Sequence, residues 1–180
     1  AYTSNTLDST AATAKVTVEK GGIGVYAKNN STTVDNIIKR ANISSTGNAS
    51  VGVFADGNIK LEQAGGKITA ANKGIGLYGN KGKITLAAPI NVETSTQGTG
   101  IYLTNGSYLT GSKITLKNTG VAAAGVYYTK GNNNNEVVHN NELAVNSGSN
   151  LLALYLDNGV KVKNNVDITV TAGSKNVGAF

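Results

Sequence analysis

The chain has 180 residues, a formal net charge of +6, and no cysteine, methionine or tryptophan, which excludes disulfide and thiolate chemistry. The positive charge is almost all lysine, with Arg40 the single arginine, so the bidentate groups and basic–aromatic interleaving of a nucleic-acid binder are missing. No apolar run approaches the roughly 18 residues of a membrane-spanning helix, and abundant Asn, Thr, Gly and Ser with few helix formers point to β structure throughout.

Residues 1–14 are rich in Ser, Thr and Ala with little alternation, and are expected to form a frayed or incomplete first coil. Lys15-Val16-Thr17-Val18-Glu19 is the first alternating strand. A turn at Lys20-Gly21-Gly22 leads into the phrase that organises the chain, Gly22-Ile23-Gly24-Val25-Tyr26. It returns as Ser50-Val51-Gly52-Val53-Phe54, Gly74-Ile75-Gly76-Leu77-Tyr78, Gly98-Thr99-Gly100-Ile101-Tyr102, Ala123-Ala124-Gly125-Val126-Tyr127, Leu151-Leu152-Ala153-Leu154-Tyr155 and Asn176-Val177-Gly178-Ala179-Phe180. The aromatics lie 28, 24, 24, 25, 28 and 25 residues apart, and a period of that size marks a solenoid.

Each phrase is followed by a polar corner with glycine, as at Asp56-Gly57, Lys81-Gly82, Asn105-Gly106, Lys130-Gly131 and Asn158-Gly159. Glycine supplies the positive φ of a tight turn. A second strand follows at Ile59-Lys60-Leu61, Ile84-Thr85-Leu86 and Val160-Lys161-Val162. A third lies at Val16-Thr17-Val18, Ile68-Thr69-Ala70, Ile90-Asn91-Val92, Ile114-Thr115-Leu116, Leu143-Ala144-Val145 and Ile168-Thr169-Val170. The aliphatic–polar–aliphatic rhythm is that of strands with one face buried. Three short strands in about 25 residues predict an all-β, right-handed, single-stranded parallel β-helix over residues 1–180, with about seven coils stacked some 4.8 Å apart. A trimeric left-handed roll is the structural alternative, disfavoured because its repeats are shorter.

Strict alternation along the phrase places Ile23/Val25/Ala27, Val51/Val53/Ala55, Ile75/Leu77, Thr99/Ile101/Leu103 and Leu152/Leu154/Leu156 inward. Gly24/Tyr26, Gly52/Phe54, Gly76/Tyr78, Gly100/Tyr102 and Gly125/Tyr127 then face outward, as an aromatic ladder beside a flat strip of glycines. The opposite arrangement, with the rings in the core, stays open.

Two coils are stretched, one after Tyr26 and one after Tyr127. Insertions in solenoids emerge at corners as loops. The second stretch holds Asn132, Asn133, Asn134 and Asn135; with Tyr128 and Lys130 beside it, this is the candidate contact loop for a glycan or protein, or simply a solvated corner.

Catalytic chemistry has little to build on. The acids are scattered, and Asp56 and Asp157, though in one column, stand four coils or about 19 Å apart, too far for a paired carboxylate mechanism. His139 is the only histidine and has no nucleophile motif around it. No catalytic, cofactor or metal residue is assigned.

The run Gly22-Ile23-Gly24-Val25-Tyr26-Ala27 with its copies, the Asn105-Gly106 corner and the Lys83-Ile84-Thr85-Leu86 strand resemble the passenger region of large type V autotransporters, in particular the giant adhesins of fusobacteria. The resemblance covers residues 15–180. It implies a segment cut from a longer passenger and exported through a C-terminal outer-membrane β-barrel that lies outside this chain, the chain's only tie to a membrane. It further implies a monomeric, non-enzymatic stalk at the bacterial cell surface, presenting ligand surfaces to a protein or glycan of host cells or other bacteria. A receptor-binding segment of a secreted toxin and a polysaccharide-active β-helix enzyme remain as alternatives. No family binding motif matches, so no site residue is carried over.

Overall fold

The computed structural model describes residues 6–8, 15–39, 42–62, 66–120, 122–129, 136–138, 141–157, 160–163, 167–171 and 173–180. Among them every strand pairing is parallel and there is no helix. The chain winds as a β-solenoid with three strands per coil. The sheet carrying the repeated phrase has seven strands in coil order: Ile23–Lys28, Val51–Asp56, Ile75–Asn80, Thr99–Thr104, Ala123–Tyr128, Leu151–Leu156 and Val177–Ala179. A second sheet stacks Thr6–Asp8, Asn36–Lys39, Ile59–Glu62, Lys83–Leu86 and Tyr108–Gly111, and Glu136–Val138 pairs with Lys161–Lys163 in a separate ribbon. The third sheet, again of seven strands, runs from Lys15–Val18 to Ile168–Val170. Thr6–Asp8 thus supplies a second-sheet strand of the first coil.

The core is a column of aliphatics repeated coil by coil. Val53, Leu77, Ile101, Val126 and Leu154 come from the first sheet, Ile59, Ile84 and Leu109 from the second, and Ile68, Val92, Leu116 and Val145 from the third; all are buried. A fully buried aliphatic contributes about 1.5–3 kcal/mol, and each packs chiefly on its counterparts one coil away.

Some strands lack a clear alternating signal because a place held by an aliphatic in neighbouring coils is not aliphatic. Asn42–Ser45 turns Ser45 inward, where its hydroxyl lies 2.6 Å from that of Ser50. Tyr108–Gly111 places Gly111, which is exposed, in register with the buried Leu86. Tyr128 fills the interior nearby: its ring is buried, and its hydroxyl accepts a hydrogen bond from the Leu109 N–H at 3.3 Å.

The repeated phrase does not alternate strictly, and this corrects the expected facing. In Val51–Asp56, Gly52 and Val53 are both buried, while Val51 and Phe54 are half-exposed. The same order holds in Ile75–Asn80 and Thr99–Thr104. The glycine faces inward and the aliphatic before it outward, because the strand rounds a corner of the coil at this point. The interior beside the glycine is already filled from the third sheet. A Cβ on Gly76 would run into the Ile68 side chain and lie 2.7 Å from the Gly100 carbonyl oxygen; on Gly100 it would meet Val92 and the Gly125 carbonyl. Only glycine fits. The predicted flat outer strip is therefore not formed: Gly52, Gly76, Gly100 and Gly125 make a buried seam, and Gly24, turned toward Val16 and Val18 in the first strand of the sheet, is exposed.

The outer face of the third sheet carries a charge ladder. Glu93 contacts Lys67 and lies 3.6 Å from Lys117. The hydrogen bond from Lys67 is the main cause holding its carboxyl below the usual carboxylate range, with smaller contributions from both lysine charges.

Gly76→Ala and Gly100→Ala should each lower stability by about 1–3 kcal/mol through overpacking. Gly22→Ala, whose Cβ would find its nearest neighbour at 3.7 Å, should be neutral; urea unfolding of the three variants checks this. Because the folded-state pKa of Glu93 is depressed, its contribution is complete above its ordinary value of 4.5 and disappears as pH falls through the lowered one. Glu93→Gln should therefore lower the urea midpoint at neutral pH and leave it unchanged in strong acid, flattening the acid limb of the stability profile.

Candidate functional site

The candidate site is the outer face of the first sheet. Register is conserved from coil to coil: Tyr26 pairs with Phe54, Phe54 with Tyr78, Tyr78 with Tyr102, Tyr102 with Tyr127 and Tyr127 with Tyr155. Stacking at the strand spacing brings each ring onto the next. Successive centroids are 5.5, 4.7, 5.1, 4.9, 4.5 and 5.4 Å apart from Tyr26 to Phe180, with interplanar angles of 8–29°. The rings form an outward ladder, as one of the two sequence readings expected. Each stacked pair contributes about 0.5–1.5 kcal/mol beyond its buried area.

Burial raises the hydroxyl pKa of Tyr78 and Tyr102. At Tyr127 burial is again the largest cause, reinforced by the hydrogen bond its hydroxyl donates to Asp157 Oδ2 at 2.8 Å. Because interior rings cover one another's faces, the ladder offers a ligand mostly ring edges and hydroxyls.

Parallel to the rings runs the column that the bend turns outward: Ile23, Val51, Ile75, Thr99, Ala124, Leu152 and Val177. Ile23 and Val177 are exposed and the rest half-exposed. Where this column narrows to Thr99 and Ala124, the space between it and the ladder opens into a groove of about 510 Å³, lined among others by Leu152, Tyr127, Tyr155 and Lys175. Its rim is the corner entering the sheet, where Gln97, Asn150 and Lys175 hold φ of 63°, 55° and 55°. Left-handed backbone at non-glycine residues costs energy and persists only where the surroundings impose it.

At the other end of these strands, side chains stack across coils as well. Asn80 Nδ2 donates to Asp56 Oδ1 at 2.9 Å, and Asn105 Nδ2 to Asn80 Oδ1 at 2.7 Å. Gly57, Gly82 and Gly106 turn the corner with φ of 107°, 71° and 77°, as the spacing predicted. In the first stretched coil the extra residues wrap this corner and enclose a polar concavity of about 430 Å³.

Of the candidate contact residues, Tyr128 lies in the core with 1% of its surface exposed. It is therefore not part of a presented loop: in its strand it alternates with Tyr127 and so faces the opposite way. Lys130, Asn132, Asn133, Asn134 and Asn135 lie outside the described residues, as does His139. The outward column was missed, although Thr99 and Ala124 carried a signal. A position occupied by Ile, Val, Ile, Thr, Ala and Leu in successive coils is less strictly apolar than the column two residues on, which reads Val, Val, Leu, Ile, Val and Leu. Among the described residues no three of His, Asp and Glu converge.

Comparison with protein-family models, with curated proteins and with solved structures finds no match to this chain.

If stacking, not the hydroxyl, holds the ladder, Tyr102→Ala should cost about 1–3 kcal/mol through two lost ring pairs and lost burial, and Tyr102→Phe under about 0.5 kcal/mol. Thermal and urea unfolding would measure both.

Proposed function

We propose that the chain is a non-enzymatic segment of a surface-displayed bacterial adhesin of the autotransporter type, a stiff stalk whose first-sheet face also presents ligand surfaces. The observation that carries this reading is the continuity of that face: seven rings and a parallel aliphatic column, half-exposed along most of the stack, with a groove between them. Soluble proteins rarely leave a contiguous apolar strip uncovered unless it meets a partner.

The carboxylates support the non-enzymatic side of the reading. Glu62 pairs with Lys60, Glu93 with Lys67, Glu142 with Lys113 and Asp35 with Lys83. Asp157 accepts from Tyr127, and Asp56 from Asn80. Each serves a local structural contact. Glycoside hydrolysis instead needs two carboxyl groups about 5–9.5 Å apart across a shared substrate.

Beads coated with this chain should adhere to epithelial or bacterial cells more than beads coated with a lysine-rich protein of equal net charge. Ala124→Trp, which fills the groove from its solvent side, should reduce adhesion without lowering the unfolding midpoint. Adhesion no better than the charge control, or turnover of an anionic polysaccharide by the chain, would overturn the proposal.

A further inference from the structure

The polar concavity at the first stretched coil has the make-up of a small-ligand site. It is walled by the loop that follows Ile23–Lys28 and by the corners of the next two coils. The loop is held from within. Asn29 Nδ2 donates to the carbonyls of Val34 and Asn58 at 2.6 and 2.9 Å, and its Oδ1 accepts from the Ser31 N–H at 2.9 Å. Ser31 Oγ accepts from the N–H groups of Thr33 and Val34 at 3.2 and 3.1 Å. Asn58 Nδ2 donates to the Ser31 carbonyl at 3.1 Å, its Oδ1 accepts from the Lys83 N–H at 2.7 Å, and Asn36 Nδ2 donates to the Lys28 carbonyl at 2.9 Å. The wall is thus fixed before any ligand arrives, which removes an ordering cost from binding.

The groups left facing the concavity carry both signs. Lys28 and Lys81 are exposed, and neither joins an ion pair among the described residues. Asn30 and Thr32 add an amide and a hydroxyl from the loop. Asp56, the register partner of Lys28, adds a carboxylate. On the same outward face, two residues before Lys28, stands the exposed ring of Tyr26.

We propose that this concavity binds a carboxylated saccharide, a hexuronate or a sialic acid, with the sugar carboxylate at Lys28 and Lys81 and its ring hydroxyls donating to Asp56. The volume, about 430 Å³, lies in the range of small-molecule sites, roughly 300–1,000 Å³. The mixed lining selects the ligand. A compact anion such as hydrogen phosphate would set its charge against Asp56 with a P–OH group or two, where a sugar ring offers several neutral hydroxyls. A neutral sugar would leave two ammonium groups facing the single Asp56 carboxylate. Lysine is a point charge, not a planar fork, so it suits a carboxylate presented among hydroxyls. The proposal rests on reading the stack as a ligand-presenting surface, and it supplies that surface with a ligand class.

The test is a titration of the whole isotope-labelled chain, followed by amide NMR shifts, with a glucuronate-containing disaccharide, its carboxyl methyl ester, and inorganic phosphate. The disaccharide is expected to shift residues 28–32, 56–58 and 81–82 with a millimolar or tighter dissociation constant. The methyl ester, and the Lys28→Gln/Lys81→Gln variant with the parent ligand, should bind about tenfold more weakly. Both lysines are exposed, so the variant keeps its fold, which far-UV circular dichroism verifies. Asp56→Asn should weaken the sugar and strengthen phosphate, the reverse of a pure anion site. No shifts, equal binding of the ester, or phosphate as effective as the uronate would each overturn the proposal. Binding without cell adhesion would keep this site and remove the adhesin reading; adhesion without binding would do the opposite.

Discussion

Parallel hydrogen bonding between coils in nearly unbroken register is the constraint on which everything else in this molecule depends. It sets each residue directly over its counterpart about 4.8 Å away, so every position must be chemically compatible with itself. Aliphatics satisfy this inside, tyrosine and phenylalanine satisfy it outside, and asparagine satisfies it at corners by bonding its own kind. Charge cannot be repeated in the same way. Lysine and glutamate therefore interleave: Glu93 stands over Lys117 in register, and Lys67 reaches Glu93 diagonally from the coil before, where it is in register with Asn91. The one register shift among the described pairings falls between Leu116 and Lys117, where the partner strand carries an extra residue.

The phrase at the start of each coil solves a second problem, turning the chain while keeping the core closed. Two adjacent inward residues need one that occupies almost no space, and glycine beside a full-sized aliphatic meets that need. The turn leaves two outward columns flanking the buried pair, and the groove is the gap between them. The ladder and the groove are thus consequences of the same corner that closes the core. Recognition surfaces here are by-products of winding, modified where single residues such as Thr99 and Ala124 shrink.

The coil period, the three strands, the glycine corners and the stacked rings were legible because each depends on local repetition. Residues that break a column for a non-local reason were not. Asn42–Ser45, Tyr108–Gly111 and Asn36–Lys39 escaped notice because Ser45, Gly111 and Asn36 take places that aliphatics hold in neighbouring coils: Ser45 is met by Ser50, Asn36 by the Lys28 carbonyl, and Gly111 is exposed opposite Leu86. The facing of the glycines was misread because alternation assumes a straight strand. Tyr128 was grouped with the loop it precedes, although its neighbour Tyr127 already faced outward. The polar concavity was foreshadowed only as a stretch in spacing; that Lys28, Asp56 and Lys81 share it follows from stacking, which brings together residues about 25 apart.

One inward column changes size along the stack: Ala27, Ala55, Gly79, Leu103, Tyr128 and Leu156 follow one another in register. A Cβ on Gly79 would collide with Leu103 Cδ2 and Ile84 Cδ1, so the larger residue overhangs the smaller. This graded column gives the stack a direction that its repeats conceal. Unequal recombination could excise the 24 residues from one aromatic to the next and still leave ring on ring and aliphatic on aliphatic. It would also set Leu103 over Ala55, without the glycine recess made for it. Coils are interchangeable on the surface and ordered within, so the length of such a rod can drift through evolution only at the joints where neighbouring interiors match in volume.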